Sequence, residues 1–347
     1  MSDNNISLVP KIKTIITKKL NYIPLDIHWL PYSTKLVTIG EAFNSKGILQ
    51  IYNLSQGSLS LENEYIHNFP CKCSSFGIYS FSSRDLALGD FEGNLSIFDL
   101  ERGVKNFEIK NAHKGIIQSI DGLGIKNNQG PSEVITGGKD SLVKLWDLRS
   151  DKPCVILEPK DIKQNFPECW TVKYGDCGLG KTIGIGYDNG DVKIFDLRMD
   201  KLFYRENLKS GICYIEFDTK NKNPSNKMIV TTLNSKLYLY DLSNLDNNKK
   251  LYNEVNTTIW GAKFFPQERD MFVSLGGDGN INLYNYDRNF FINNNNDKLN
   301  MIGHNNICSS PIIGFDWHLI KNGLACLISL DYTVRICKCE NFYSRKK

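Results

Sequence analysis

Few residues here have the types and spacing for chemistry. Gly175-Asp176-Cys177-Gly178-Leu179-Gly180-Lys181-Thr182 satisfies the phosphate-loop pattern G-x-x-x-x-G-K-[ST] in full. That pattern holds nucleotide phosphates when a strand feeds a glycine loop and then a helix N-terminus with free amides. A strand is expected before it, at Trp170 to Tyr174, but Ile183 to Gly190 reads as a strand and a turn without helical period. The glycines are therefore expected to turn one strand into the next. Two C-x-C pairs, Cys71/Cys73 and Cys337/Cys339, are too tightly spaced for a structural zinc site. On a strand, both thiols of each pair would face the same side, toward packing. His28, His67, His113, His304 and His318 lie in different parts of the chain without ligand spacing, and His113 and His304 are expected in turn networks. No nucleophile elbow or paired His-Glu motif is present. The expectation is no catalysis, no metal and no cofactor.

Short apolar strands recur along the chain, each ending near an aromatic residue and a turn, at a spacing of roughly 44 to 52 residues. They are Gly47 to Asn53, Asn94 to Asp99, Leu142 to Asp147, Val192 to Asp196, Lys236 to Asp241, Asn280 to Asn285 and Tyr332 to Cys337. Seven copies of this period, one carrying the pair Trp146-Asp147, predict an all-β fold: a seven-bladed WD-repeat β-propeller. The whole chain, 1–347, is read as one such unit. Its blades fall approximately at 22–66, 71–110, 113–158, 168–206, 211–254, 258–302 and 311–339. In the third repeat strand A is expected at Ile116 to Ile120, B at Glu133 to Thr136, C at Leu142 to Asp147 and D near Cys154 to Leu157. His113, Thr136, Asp140 and Trp146 fall where such a repeat strings a hydrogen-bond chain from its turn to the indole nitrogen. Other repeats offer Lys46, Glu92, Asn189, Asn234, Asp278 and Asp331 at the turn position.

After Cys339 too little chain remains for a fourth strand in the last repeat. Lys11 to Thr17 reads as a strand without partners. Segment 11–17 is therefore expected to complete the last blade, closing the ring and removing exposed edges.

With 41% apolar and 11% aromatic residues the chain can bury a large core. No apolar run is long enough for a membrane helix, and the N-terminus lacks the pattern of a signal peptide. Ten cysteines without that signal read as reduced thiols in the cytoplasm. A net charge of +4 gives no ground for nucleic acid or membrane partners. Asn-rich stretches at 220–226, 244–250 and 289–300 are expected as surface loops.

Function is then expected on a rim. In a propeller the start of strand A and the B–C turn share one face. Counting four residues back from the inward aromatic of each strand A gives Leu25, Lys72, Trp170, Cys213, Trp260 and Ile313, with Gln118 placed by aligning the third blade. The residue before the turn position adds Phe91, Lys139 and Asp188. Trp170, Trp260, Phe91, Lys72, Gln118, Lys139 and Asp188 form the expected protein-binding rim. The alternative role for the two tryptophans is to plug the channel.

Several blocks of the chain resemble the Monad family of WD-repeat proteins. They include Lys35 to Gly40, Leu88 to Leu95, Ile117 to Gly122, Cys169 to Val172 and, longest, Gly186 to Arg198. The likeness runs from Asn21-Tyr22 through Asp331 to Arg335. It implies a non-enzymatic cytoplasmic adaptor, a monomeric propeller within a larger assembly. The implied partners are a co-chaperone complex of RuvB-like ATPases and prefoldin-like subunits, with axonemal dynein chains as clients. The alternatives are a substrate receptor for ubiquitin ligation and a nucleotide-binding protein acting through 175–182.

Overall fold

The computed structural model describes residues 10–80, 82–123, 132–159, 166–175, 181–218, 227–243, 245, 249–252, 256–268, 270–286 and 299–341. Among them every regular element is a strand. Strands pair antiparallel into seven four-stranded sheets, and each of the first six is built from four consecutive strands. The innermost strands, one per blade and hereafter A, are Ile23–Trp29, Cys71–Ser75, Ile117–Gly122, Cys169–Gly175, Ile212–Phe217, Ile259–Phe264 and Ile312–Trp317. The seventh sheet is completed by Lys11–Lys19, which pairs with Thr333–Glu340 from Lys11 opposite Glu340 to Lys19 opposite Thr333. The closing strand predicted at 11–17 is present and two residues longer. Ile12 anchors it: the side chain is buried between blades 6 and 7, and its N–H donates to Asn305 Oδ1 at 3.0 Å.

Burial falls from the middle of each sheet to the outside, which explains the apolar patterning. The B strands Thr182–Tyr187, Lys227–Thr232, Met271–Gly276 and Leu324–Ser329 are buried at every residue, because a neighbouring blade covers each face. The outer strand Pro153–Leu157 alternates half-buried and exposed residues. Instead of one core the chain builds seven, one in each gap between adjacent blades, including the gap between blades 7 and 1. Close approach across two of these gaps requires glycine. A Cβ on Gly137 would lie 2.6 Å from Cys169 Sγ, and one on Gly186 2.5 Å from Ile212 Cγ2.

Inner strands of different blades share no sheet, and side chains link them instead. Asp26 Oδ2 accepts from Ser74 N–H and Oγ–H, both at 2.9 Å. Asp121 Oδ2 accepts from Tyr174 N–H, and Asp316 Oδ2 from Trp29 N–H, each at 2.9 Å. Charge-assisted acceptors of this kind are the stronger class of hydrogen bond.

Residues 176–180, the centre of the phosphate-loop match, lie outside the described residues. Their flanks settle the context. Gly175 ends one strand, Thr182 begins the next, and the two are paired across an antiparallel ladder. Thr182–Tyr187 is a strand, so no helix N-terminus stands there to receive phosphates. Of the Asn-rich stretches, 220–226, 244, 246–248 and 289–298 also lie outside the described residues; Lys249–Tyr252 and Asn300–Asn306 are strands.

Candidate functional site

One local irregularity builds the rim. Strand A of every blade carries a β-bulge against strand B, and the unpaired residue is Leu25, Lys72, Gln118, Trp170, Cys213, Trp260 and Ile313 in turn. A bulge bends the strand and re-aims its extra side chain. None of the seven is buried, although the strand residue just before each of them is. A second repeated contact fixes the opposite wall of the rim. In blades 2 to 7 the residue just past strand B donates its N–H to the carbonyl just before strand A: Phe91 to Pro70, Lys139 to Ile116, Asp188 to Glu168, Leu233 to Gly211, Gly277 to Thr258 and Leu330 to Pro311. Bulge residues and strand-B exits therefore share one face of the ring.

The face divides by chemistry. Blades 2 to 4 present the polar half, where Glu168 is the hub. Its Oε2 accepts from Gln118 Nε2 at 3.1 Å and Trp170 Nε1 at 3.4 Å, and Lys139 Nζ stands 3.9 Å from Oε1. Asp188 sits beside it with Oδ1 buried and without a hydrogen-bond partner among the described residues. Burial, and then the Glu168 charge, hold its carboxyl above the ordinary value. Trp170 is half-buried against Gly211 of the next blade, where an added Cβ would lie 2.8 Å from its Cζ3. Blades 5, 6, 7 and 1 present the apolar half: Leu233, Trp260, Leu330, Tyr332 and Phe43 are all exposed, Trp260 by 41%. Phe91 and Lys72, on blade 2, are half-buried. The candidate residues thus do not form one cluster. Trp170, Gln118, Lys139 and Asp188 gather around Glu168, while Trp260 stands apart on the apolar arc.

Beneath the polar half lies the hydrogen-bond chain of blade 3. Trp146 Nε1–H donates to Thr136 Oγ1 at 2.8 Å, and Thr136 Oγ1 meets His113 Nε2 at 2.7 Å. His113 Nδ1 meets Asp140 Oδ1 at 2.8 Å, and Asp140 Oδ2 accepts from Lys114 N–H at 2.9 Å. The chain is satisfied throughout when Thr136 donates to Nε2 and the imidazole carries its proton on Nδ1. Burial pushes the Asp140 carboxyl up, but the His113 hydrogen bond and neighbouring amides outweigh it and hold it low. Blade 7 replaces the imidazole with a guanidinium: Arg335 Nη2 reaches Asp331 Oδ2 at 2.6 Å, and Nη1 reaches Ser329 Oγ at 2.6 Å.

Three expectations are corrected. His304 lies in the outer strand Asn300–Asn306, with Nδ1 2.6 Å from Asn282 Oδ1 on the neighbouring strand, rather than in a turn network. In blade 2 the turn carboxylate is Asp90, whose Oδ1 accepts from Glu92 and Asn94 N–H groups, and not Glu92. Cys71 and Cys73 do not share a face, because the bulge falls between them: Cys71 packs between blades 1 and 2, Cys73 between blades 2 and 3. Cys337 and Cys339, on a regular strand, do pack together. The nine cysteines among the described residues are free thiols, and no group of metal-ligating side chains is present among those residues. Sequence reading missed Glu168, which stands in coil and meets partners from the preceding blade.

Fold and rim define the class: a closed seven-bladed WD-repeat propeller whose bulged inner strands present one amphipathic face. No family model matches the chain. Relatives match over most of the chain. It is 34% identical over 345 residues to dynein axonemal assembly factor 10 of Bos taurus, covering 94% of this chain and 96% of that protein. The protein of the same name from Chlamydomonas reinhardtii is 35% identical over 348 residues, with the same coverage, and that of Danio rerio 35% over 344. The chain belongs to the dynein axonemal assembly factor 10 family.

Proposed function

We propose that the protein is a non-enzymatic scaffold acting in the cytoplasmic preassembly of axonemal dynein arms, together with a co-chaperone complex of RuvB-like ATPases and prefoldin-like subunits. The observation that carries this reading is the near-complete match, on both sides, to proteins named for dynein assembly. The amphipathic rim supports it physically. Trp260, Leu233 and Leu330 offer apolar anchors of the kind that dominate binding energy, and the Glu168 cluster sets orientation. A closed ring has little to reorganise on docking, so little of the contact energy goes into ordering.

The experiment is affinity purification with Trp170→Ala/Trp260→Ala and with Trp260→Ala alone. Recovery of RuvB-like ATPases or dynein heavy chains by the native protein, and its loss in both variants at near-native melting temperature, is the expected result. Undiminished recovery by both variants would remove the rim from the reading. Absence of dynein and co-chaperone subunits from the native purification would remove the function itself.

A further inference from the structure

Two cations stand at the ends of the apolar arc that Leu233, Trp260, Leu330, Tyr332 and Phe43 form over blades 5, 6, 7 and 1. Lys72 is the bulge residue of blade 2, next after Leu25 of blade 1 around the channel mouth. Lys236 shares the blade 5 turn with Leu233: its N–H donates to Thr232 Oγ1 at 3.2 Å, and its carbonyl accepts from Thr232 N–H at 3.0 Å. Both lysines are half-buried. Neither ammonium has a hydrogen bond or an ion pair among the described residues.

That state is unusual in this protein. The seven other half-buried lysines among the described residues are all committed. Some donate to main-chain carbonyls, as Lys144 Nζ does to Ala112 O at 2.6 Å. The rest meet carboxylates, as Lys181 Nζ meets Glu133 Oε2 at 2.8 Å. The two exceptions both lie on the rim face. An ammonium held partly out of water without an acceptor gives up hydration and receives nothing for it. The carboxylates of blades 6 and 7 on this face are engaged already. Asp278 accepts from the Asn280 N–H and side-chain amide, and Asp331 holds Arg335. Blade 1 adds one charge of each sign, Glu41 and Lys46.

We propose that the arc takes an apolar partner segment whose carboxylates reach Lys72 and Lys236; this rests on the scaffold reading above and names the chemistry of its partner. Covering Trp260 and its neighbours removes the remaining water from both ammonium groups. An acceptor is then required at each, and a carboxylate is the strongest one a protein segment carries. A wholly apolar segment would bury two unpaired charges, and a basic one would add repulsion. A carboxylate at each end also fixes the direction and register of the segment along the arc.

The test uses the immobilised full chain and a display library of random dodecapeptides. It needs no dynein, so its result reads separately from the affinity purification above. Peptides kept by the native protein and lost from Trp260→Ala should be rich in apolar residues and enriched in Asp and Glu over the starting library. Lys72→Glu/Lys236→Glu should reverse that preference to Lys and Arg, a change of sign that misfolding cannot produce. One acidic peptide so selected is then titrated by calorimetry. Lys72→Met should bind it about 10-fold more weakly, at an unchanged melting temperature. Lys201→Glu, on the outer strand of blade 4, should bind it as the native protein does. Four results would each overturn the proposal: no peptide that depends on Trp260, no acidic enrichment among those that do, the same preference in the double variant, or tighter binding by Lys72→Met, the mark of a wholly apolar occupant.

Discussion

Replacing Thr136 by valine isolates the hydrogen-bond chain of blade 3 from its packing. Valine is nearly the same shape, so the buried site keeps its volume, but the hydroxyl that links two other groups is gone. Trp146 Nε1–H loses its acceptor at 2.8 Å, and His113 Nε2 loses its donor at 2.7 Å. Both residues are closed to solvent, Trp146 at 2% and His113 at 1% exposed. Each orphaned buried group costs about 1–3 kcal/mol, so Thr136→Val should lose about 2–6 kcal/mol before the added methyl group gives a little back. Thr136→Ser keeps the hydroxyl and removes a methyl, which costs about 1 kcal/mol. Urea unfolding of the two variants gives the comparison. Hydrogen exchange at the Trp146 indole reads blade 3 directly, since local opening need not follow the whole ring. If valine and serine destabilise equally, or the indole stays protected in the valine variant, the chain of bonds contributes nothing and packing alone holds the blade.

Other outcomes follow from the same geometry. Ile12→Asp puts a charge into the gap between blades 6 and 7 and should detach the closing strand, seen as new proteolytic cleavage within 10–19 before global unfolding. The Asp26–His28 pair links stability to pH in both directions. Asp26 is lowered against burial by His28, so its contribution is full above about pH 4 and drains as pH falls. His28 is raised, so its contribution is full below about pH 6.5 and drains as pH rises. Melting temperature should therefore peak between those limits, and Asp26→Asn should flatten the profile. Asp188→Asn, which removes a carboxylate held high by burial and Glu168, should raise the melting temperature at neutral pH. Among the described cysteines only Cys154 is exposed, while burial pushes the Cys71 thiol up to about 12. Iodoacetamide followed by peptide mapping should label Cys154 first and leave Cys71 untouched until denaturation.

Much of the ring is legible in the sequence because each blade repeats one local solution. The strand-C aromatics Tyr52, Phe98, Trp146 and Tyr284 are buried at one register, so their spacing gives the blade count. The bulge residues could be found by counting because the irregularity recurs at the same step in all seven inner strands. The same regularity misled for Cys71 and Cys73, where alternation was assumed across the bulge. The channel residues were also within reach: a polar side chain sits three past every bulge, yet His28 and Lys173 look isolated when read one repeat at a time. Glu168 was not. Its contacts to Gln118 and Lys139 join neighbouring blades through coil, and no periodicity marks a residue defined by its tertiary neighbours.

The strand Lys11–Lys19 has a cost in time. Its partner, Thr333–Glu340, is made some 320 residues later, which at ribosomal rates of about 5–20 residues per second is roughly 15–65 s. For that interval Ile12 has no cavity to enter and the inner wall of blade 1 faces water instead of blade 7. Synthesis thus leaves a nascent ring open at a single seam, with one sticky lip on each side, until its final strand emerges. On this topology the chain passes through a period of vulnerability to premature pairing with a neighbour's seam.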